Sequence, residues 1–251
     1  MSSDDMTMED ALIALHAGTD RQGPGDEAFA LDLLRRLPTP PTGGTLADLG
    51  CGTGAAGLLL ARHFRRPVLC VDSSEAFLKT LTLRAEARGL GSLVTTLRAD
   101  MGSLDPKAHR FDLLWSEGAA YNLTFEGALR SWRPLMARNG LAVVSEMTWF
   151  GPDRPREALE FWSAAYPAMA DEQSNRASAE RHGFACLFTA RLPTAAWWTG
   201  YYDPLLLRLD ACAGSPSKTM QLAISETRQE IDLFRKFSDF YGYSFYALQA
   251  V

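Results

Sequence analysis

The chain has 251 residues, 47% hydrophobic and 22% charged, a balance that suits one large globular domain, or one with a small appendage, and excludes disorder and fibrous repeats. A net charge of −5 with no local basic patch argues against a nucleic-acid partner. The opening MSSDDMTMED has no basic region followed by an apolar core, and no apolar run approaches the roughly 20 residues of a membrane span. Neither a secretory signal nor a span is therefore predicted, and a cytoplasmic location is expected.

Residues Met6 to Ala17 and Ala28 to Leu37 carry apolar positions at helical spacing, separated by the Gly- and Pro-containing HAGTDRQGPGDE. They form a predicted N-terminal helical cap over residues 1–42. PTPPTGG (Pro38 to Gly44) leads into the main domain, 43–251. There strand-like TLADL, PVLCVD, LVTTLRAD, FDLLWSE and LAVVSEM alternate with helical patterns over Ala55 to Phe64, Ser74 to Arg88 and Leu123 to Arg138. Such alternation predicts a doubly wound, mostly parallel α/β sheet covered on both faces.

After Met147 the pattern changes. Helices are expected over Pro155 to Tyr166 and Asp171 to His182, a strand at FACLFTARL, a long helix over Ser217 to Tyr241 and a final strand at YSFYALQAV. The late strands predict an antiparallel closing hairpin at a sheet edge, with a helical and aromatic insertion over about 150–215. Cys51, Cys70, Cys186 and Cys212 lack metal-ligand or disulfide spacing, so no metal site is expected. Cys51 and Cys70 are expected to pack as small buried hydrophobes.

The stretch TLADLGCGTGAAG (Thr45 to Gly57) reads as a strand turning sharply into a helix, where glycines let a ligand approach the backbone. Gly52, Gly54 and Gly57 satisfy the dinucleotide pattern GxGxxG. Charge argues otherwise. The expected carboxyl ends of five strands carry Asp48, Asp72, Asp100, Glu117 and Glu146. A pyrophosphate beside Asp48 would be repelled by several kcal/mol at about 4 Å in a partly desolvated cleft. S-adenosylmethionine, with a sulfonium and an ammonium group, suits an acidic mouth.

The segment Asp48-Leu49-Gly50-Cys51-Gly52-Thr53-Gly54 is similar to the first motif of the class I S-adenosylmethionine-dependent methyltransferases, and FDLLWSEG and LAVVSEM match that family's fourth and fifth strands. RQGPG, WSEGAAYN, SEMTWF and FYGYSFYA further resemble a subgroup of small bacterial methyltransferases loosely labelled ubiquinone/menaquinone-methyltransferase-like. The resemblance implies a Rossmann-like, seven-stranded methyltransferase fold. It implies a cofactor site of Asp48, Gly50, Cys51, Gly52 and Gly54, with Asp72 and Ser73 at the ribose, Asp100 and Met101 at the adenine, and Ser116 on the fourth strand. Arg21, in a loop expected to fold over the cofactor, would reach its carboxylate or an anionic acceptor group; a solvated cation at a simple turn is the plainer reading.

Residues just past strands four and five face the methyl group in that fold. Glu117, Glu146 and Tyr121 are candidate catalytic groups, and Asn122, Trp149, Phe150, Tyr201 and Tyr202 candidate acceptor contacts. Trp149 and Phe150 read equally as core, and Glu146 as an ion-pair partner of Arg154. Trp197 and Trp198 read equally as packing or as pocket wall within the loop-like AAWWTGYYDP. The expected function is methyl transfer to a small-molecule acceptor, an amine or hydroxyl, by a monomer or homodimer. A quinone-type C-methyltransferase and a non-catalytic cofactor-binding protein are the alternatives.

Overall fold

The computed structural model describes residues 6–251, so the first five residues of the expected helical cap lie outside it. Two helices come first, α1 (Met8–Leu15) and α2 (Glu27–Arg36). The sheet and its crossovers follow in the order β1 (Leu46–Leu49), α3 (Ala55–Phe64), β2 (Val68–Asp72), α4 (Glu75–Ala87), β3 (Val94–Arg98), β4 (Phe111–Ser116), α5 (Phe125–Trp132) and β5 (Met136–Trp149). The remainder is α6 (Arg156–Ala165), β6 (Ala170–Asp171), α7 (Glu172–Arg181), β7 (Phe184–Arg191), α8 (Thr194–Trp197), α9 (Asp203–Cys212), α10 (Lys218–Phe237) and β8 (Tyr241–Ala250).

The strands lie in the order β3-β2-β1-β4-β5-β8-β7, with two-residue β6 paired to β5. The first five are mutually parallel, and β8 runs antiparallel between β5 and β7. All four residues of β1 are buried, as they must be in a strand with helices on both faces. From β1 the chain winds one way to β2 and β3 and the other way to β4 and β5. The crevice beyond the carboxyl ends of β1 and β4 is therefore the topological switch point where such sheets bind ligands.

Two expectations change. The predicted helix over Leu123 to Arg138 ends at Trp132, because Pro134 in the 3-10 turn Arg133–Leu135 cannot continue it. β5 then begins at Met136, with Asn139 in the left-handed region at φ 59° and a register shift against β4. AAWWTGYYDP is helical, passing from α8 through a π-helical turn (Trp198–Tyr202) into α9. Trp197 is buried there, stacked on Phe234 of α10 at 4.2 Å and packed on Tyr243 of β8 at 4.9 Å. The expected antiparallel closing hairpin is present at the sheet edge as β7 and β8, with α8, α9 and α10 inserted between them.

One buried polar cluster ties β5 and β8 to α7. The Asn175 amide donates to the Tyr246 hydroxyl at 3.0 Å, and that hydroxyl lies 3.1 Å from Thr148 Oγ1. Tyr246→Phe should cost about 1–2 kcal/mol, since it leaves the buried Asn175 amide short of a partner. Urea denaturation will measure it, and an unchanged midpoint would mean that the cluster contributes nothing net.

Candidate functional site

The β1–α3 turn builds the floor of the site. Gly50 has φ +72°, and a Cβ there would collide with the Ala119 side chain in the loop after β4, so glycine is needed twice over. Gly54, at φ +87°, would drive a Cβ into Leu81 of α4; its role is packing. Asp72 ends β2, where its two carboxylate oxygens accept from the backbone amides of Gly52 and Ser74, each at 2.8 Å. Above this floor opens a cavity of about 800 Å³.

The segment between α1 and α2 is strapped across the cavity. The Arg21 guanidinium pairs with Glu117 at 2.5 Å, with both side chains largely buried. Trp115 Nε1 donates to the other Glu117 oxygen at 3.2 Å. Gln22 Oε1 accepts from the Thr53 amide at 2.9 Å, and Arg84 of α4 joins Asp20 at 2.8 Å and Thr53 Oγ1 at 2.6 Å. The strap is thus hydrogen-bonded to the glycine turn it covers.

Of the sequence-predicted residues, Asp48, Gly50, Cys51, Gly52, Asp72, Ser73, Asp100, Met101, Arg21, Glu117, Tyr121, Asn122 and Tyr201 line this one cavity. Asp100 spends part of its accepting capacity locally, on the Gly102 amide at 2.8 Å and Ser103 Oγ at 2.7 Å, and those bonds hold its pKa down. Ser116, Gly54, Glu146, Trp149, Phe150 and Tyr202 do not line it.

Each of these six is held elsewhere for a physical reason. Ser116 donates to the Leu49 carbonyl at 2.8 Å and links β4 to β1. Trp149 is core, edge-on to Tyr241, and Phe150 lies beneath the Arg191 guanidinium at 4.3 Å. The Tyr202 hydroxyl donates to Glu230 at 2.8 Å from behind the wall. Glu146 is 2% exposed, and neither carboxylate oxygen has a hydrogen-bond partner among the described residues. Burial pushes its pKa up to about 8, while the Tyr166 hydroxyl and the Met147 amide favour the charged form without completing a hydrogen bond. Arg154 pairs with Asp171, not with Glu146.

The lining residues carry five carboxylates, Asp48, Asp72, Asp100, Glu117 and Glu230, against the basic side chains Arg21 and His16. Burial lowers the His16 pKa below its usual value, opposed by the Leu12 carbonyl, which leaves the ring neutral near pH 7. Arg21 is already committed to Glu117. Burial first, then Glu117 and Asp72, raises the Asp48 pKa to about 8 against the opposing Gly57 amide and Arg21, and its Oδ2 has no hydrogen-bond partner among the described residues. A cation in this cavity relieves that stress, whereas an anion adds to it.

Several lining residues are absent from the sequence-based set, Thr227 and Glu230 of α10 among them. The buried stripe of α10 runs through Met220, Ala223, Ile224, Ile231 and Phe234, and positions 227 and 230 fall on it at helical spacing. An acid on an otherwise apolar stripe was the signal available.

Residues 46–140 match the family described as methyltransferase domain. The ribosomal protein arginine N-methyltransferase rmt3 of Schizosaccharomyces pombe is 28% identical over 137 residues, 49% of this chain and 24% of that protein. The chain thus spans about a quarter of the length of that curated relative. Among solved structures, YjhP of Escherichia coli superposes with a TM-score of 0.82 at 17% identity, covering 96% of this chain and 99% of that one. A Geobacter sulfurreducens S-adenosylmethionine-dependent methyltransferase, in complex with S-adenosylhomocysteine, does so with a TM-score of 0.79 at 17% identity, covering 96% and 98%. The fold is the Rossmann-like fold of these structures, and residues 46–140 carry the match to the methyltransferase domain.

Proposed function

We propose that the protein transfers a methyl group from S-adenosylmethionine to the nitrogen of a small amine-bearing acceptor. The observation that carries this reading is the cavity's charge: five carboxylates face it, and its one arginine is already paired. When bound, S-adenosylmethionine supplies an electrophilic methyl group on a sulfonium. Asp72 would hold the ribose hydroxyls, Asp100 and Met101 the adenine, and Asp48 the positively charged methionyl end. The Gly50–Gly52 backbone would lie against the ligand, and the Arg21 strap would exclude water from it.

In-line methyl transfer requires an acceptor lone pair, so a protonated amine must first lose its proton. Glu230 and Tyr121, both on the cavity wall, are the groups positioned to accept or relay it. The relation to rmt3, whose name gives an arginine nitrogen as acceptor, supports a nitrogen nucleophile. An apolar quinone pocket would be lined differently.

Asp72→Ala should weaken S-adenosylhomocysteine binding at least tenfold by calorimetry, as expected from losing charged bonds worth about 1.5–3 kcal/mol. Unchanged affinity would remove Asp72 from the ribose. A thermal-shift response to NAD with none to S-adenosylhomocysteine would overturn the cofactor assignment.

A further inference from the structure

Tyr121, Tyr201 and one carboxylate, Glu230, share the wall of the cavity. Tyr201, at the π-helical turn, stacks on His16 at 5.7 Å between centroids and lies 3.1 Å from His16 Nε2 through its hydroxyl. Tyr202 packs on Tyr201 at 5.1 Å and donates its hydroxyl to Glu230 Oε1 at 2.8 Å. Tyr121 enters from the loop after β4, and Thr227 lies one turn before Glu230 on α10. The Thr227 hydroxyl turns back to the Ala223 carbonyl at 2.7 Å, so it does not satisfy the acid.

No arginine, lysine or charged histidine among the described residues is paired with Glu230. Its one hydrogen bond comes from a neutral phenol. Burial first, and the charge of Glu230 as a smaller contribution, keeps the hydroxyls of Tyr121, Tyr201, Tyr202, Tyr241 and Tyr243 protonated. Burial raises the pKa of Glu230 itself, and the Tyr202 bond only partly opposes this. A carboxylate with no counter-ion among the described residues, sharing a cavity wall with Tyr121 and Tyr201, is complementary to an organic ammonium: the rings offer cation–π attraction and the acid offers a charge-assisted hydrogen bond.

We propose that Glu230, with Tyr121 and Tyr201, forms the acceptor-recognition subsite and selects an aliphatic ammonium group over a neutral or anionic equivalent. Glu230 anchors the charge through the oxygen that Tyr202 leaves free, and the tyrosine rings desolvate the alkyl carbons next to the nitrogen. This deepens, and rests on, the methyltransferase reading of the same cavity. It also explains why an acid occupies the buried stripe of α10, where an apolar residue would pack at lower cost.

The test uses the full chain saturated with S-adenosylhomocysteine, titrated calorimetrically with phenethylamine and with its neutral isostere 2-phenylethanol. The wild type should bind the amine at least tenfold tighter than the alcohol. Glu230→Gln, which keeps the Tyr202 hydrogen bond, should bring the two within about threefold of each other and leave S-adenosylhomocysteine affinity unchanged. Equal affinity for both probes in the wild type, no saturation by millimolar amine, or a preference that survives Glu230→Gln would each overturn the subsite. Loss of S-adenosylhomocysteine binding by the wild type would instead sink the methyltransferase reading. Should Glu230→Gln fail to fold, Glu230→Asp carries the same test, its carboxylate drawn back by one methylene, with an intermediate preference expected.

Discussion

Glu146→Gln should flatten the pH dependence of stability between about pH 5 and 8 while leaving methyl transfer within about threefold of wild type. The sign follows from proton binding. In the unfolded chain Glu146 titrates near the ordinary glutamate value; in the folded chain burial raises it to about 8. Between those values the folded state holds a proton that the unfolded state has released, so wild-type stability falls as pH rises and is lost through the folded pKa. Three pH units at about 1.4 kcal/mol each set an upper bound near 4 kcal/mol, and a slope change on the order of 3 kcal/mol is expected across the window. Asp48, also raised to about 8, contributes in the same direction, so the variant retains part of the slope. Glutamine carries a polar group into the same partnerless site, so the readout is the slope of urea stability against pH and not its absolute level. An unchanged slope would place Glu146 outside the titration. A collapse of turnover with cofactor affinity intact would return it to the chemistry.

The sheet was legible because parallel strands buried on both faces leave near-continuous apolar runs, such as LADL and VLCVD, that cannot be mistaken for amphipathic surface helices. The glycine turn was legible for a related reason: Gly50 and Gly54 hold conformations that side chains resist, so composition there reports backbone geometry directly. The acids at the ends of β1 and β2 were legible because strand direction places them at the switch point. The acceptor end of the site was much less so. Glu230 lies in the charged run SETRQEIDLFRK, where helical spacing puts it on the apolar stripe but says nothing of a cavity beyond it; α8, α9 and α10 have to fold before it joins Tyr201 on the cavity wall. Trp149 and Phe150 misled for the opposite reason. They follow β5 at the expected place, but β8 pairs beside them and draws Trp149 into the core against Tyr241. AAWWTGYYDP carries loop-like Gly and Pro yet folds as helix, because Trp197 and Tyr202 gain more by packing on Phe234 than the turn residues lose.

The Arg21–Glu117 pair carries the second large expected effect, since it is the largely buried ion pair that joins the strap to the loop after β4. Glu117→Gln should destabilise the protein by about 3 kcal/mol, because it leaves a buried guanidinium without its counter-ion. The lower end of the range for breaking such pairs applies, because the Arg21 side chain keeps about 15% of its surface in solvent. Arg21→Met in the same background should recover at least half of that loss by removing the stranded charge. Stability and strap closure separate in this pair of variants. The double variant should still bind S-adenosylhomocysteine more weakly than wild type, because only the ties of Gln22 and Asp20 to Thr53 and Arg84 then hold the strap. Denaturation of the four proteins of the cycle gives the coupling energy, and calorimetry on the same four gives the ligand linkage. A single variant as stable as wild type would mean that the pair is solvated in solution. A double variant with wild-type affinity would mean that the strap covers the cavity without contributing to ligand retention, and Arg21 would then be a stabilising contact alone.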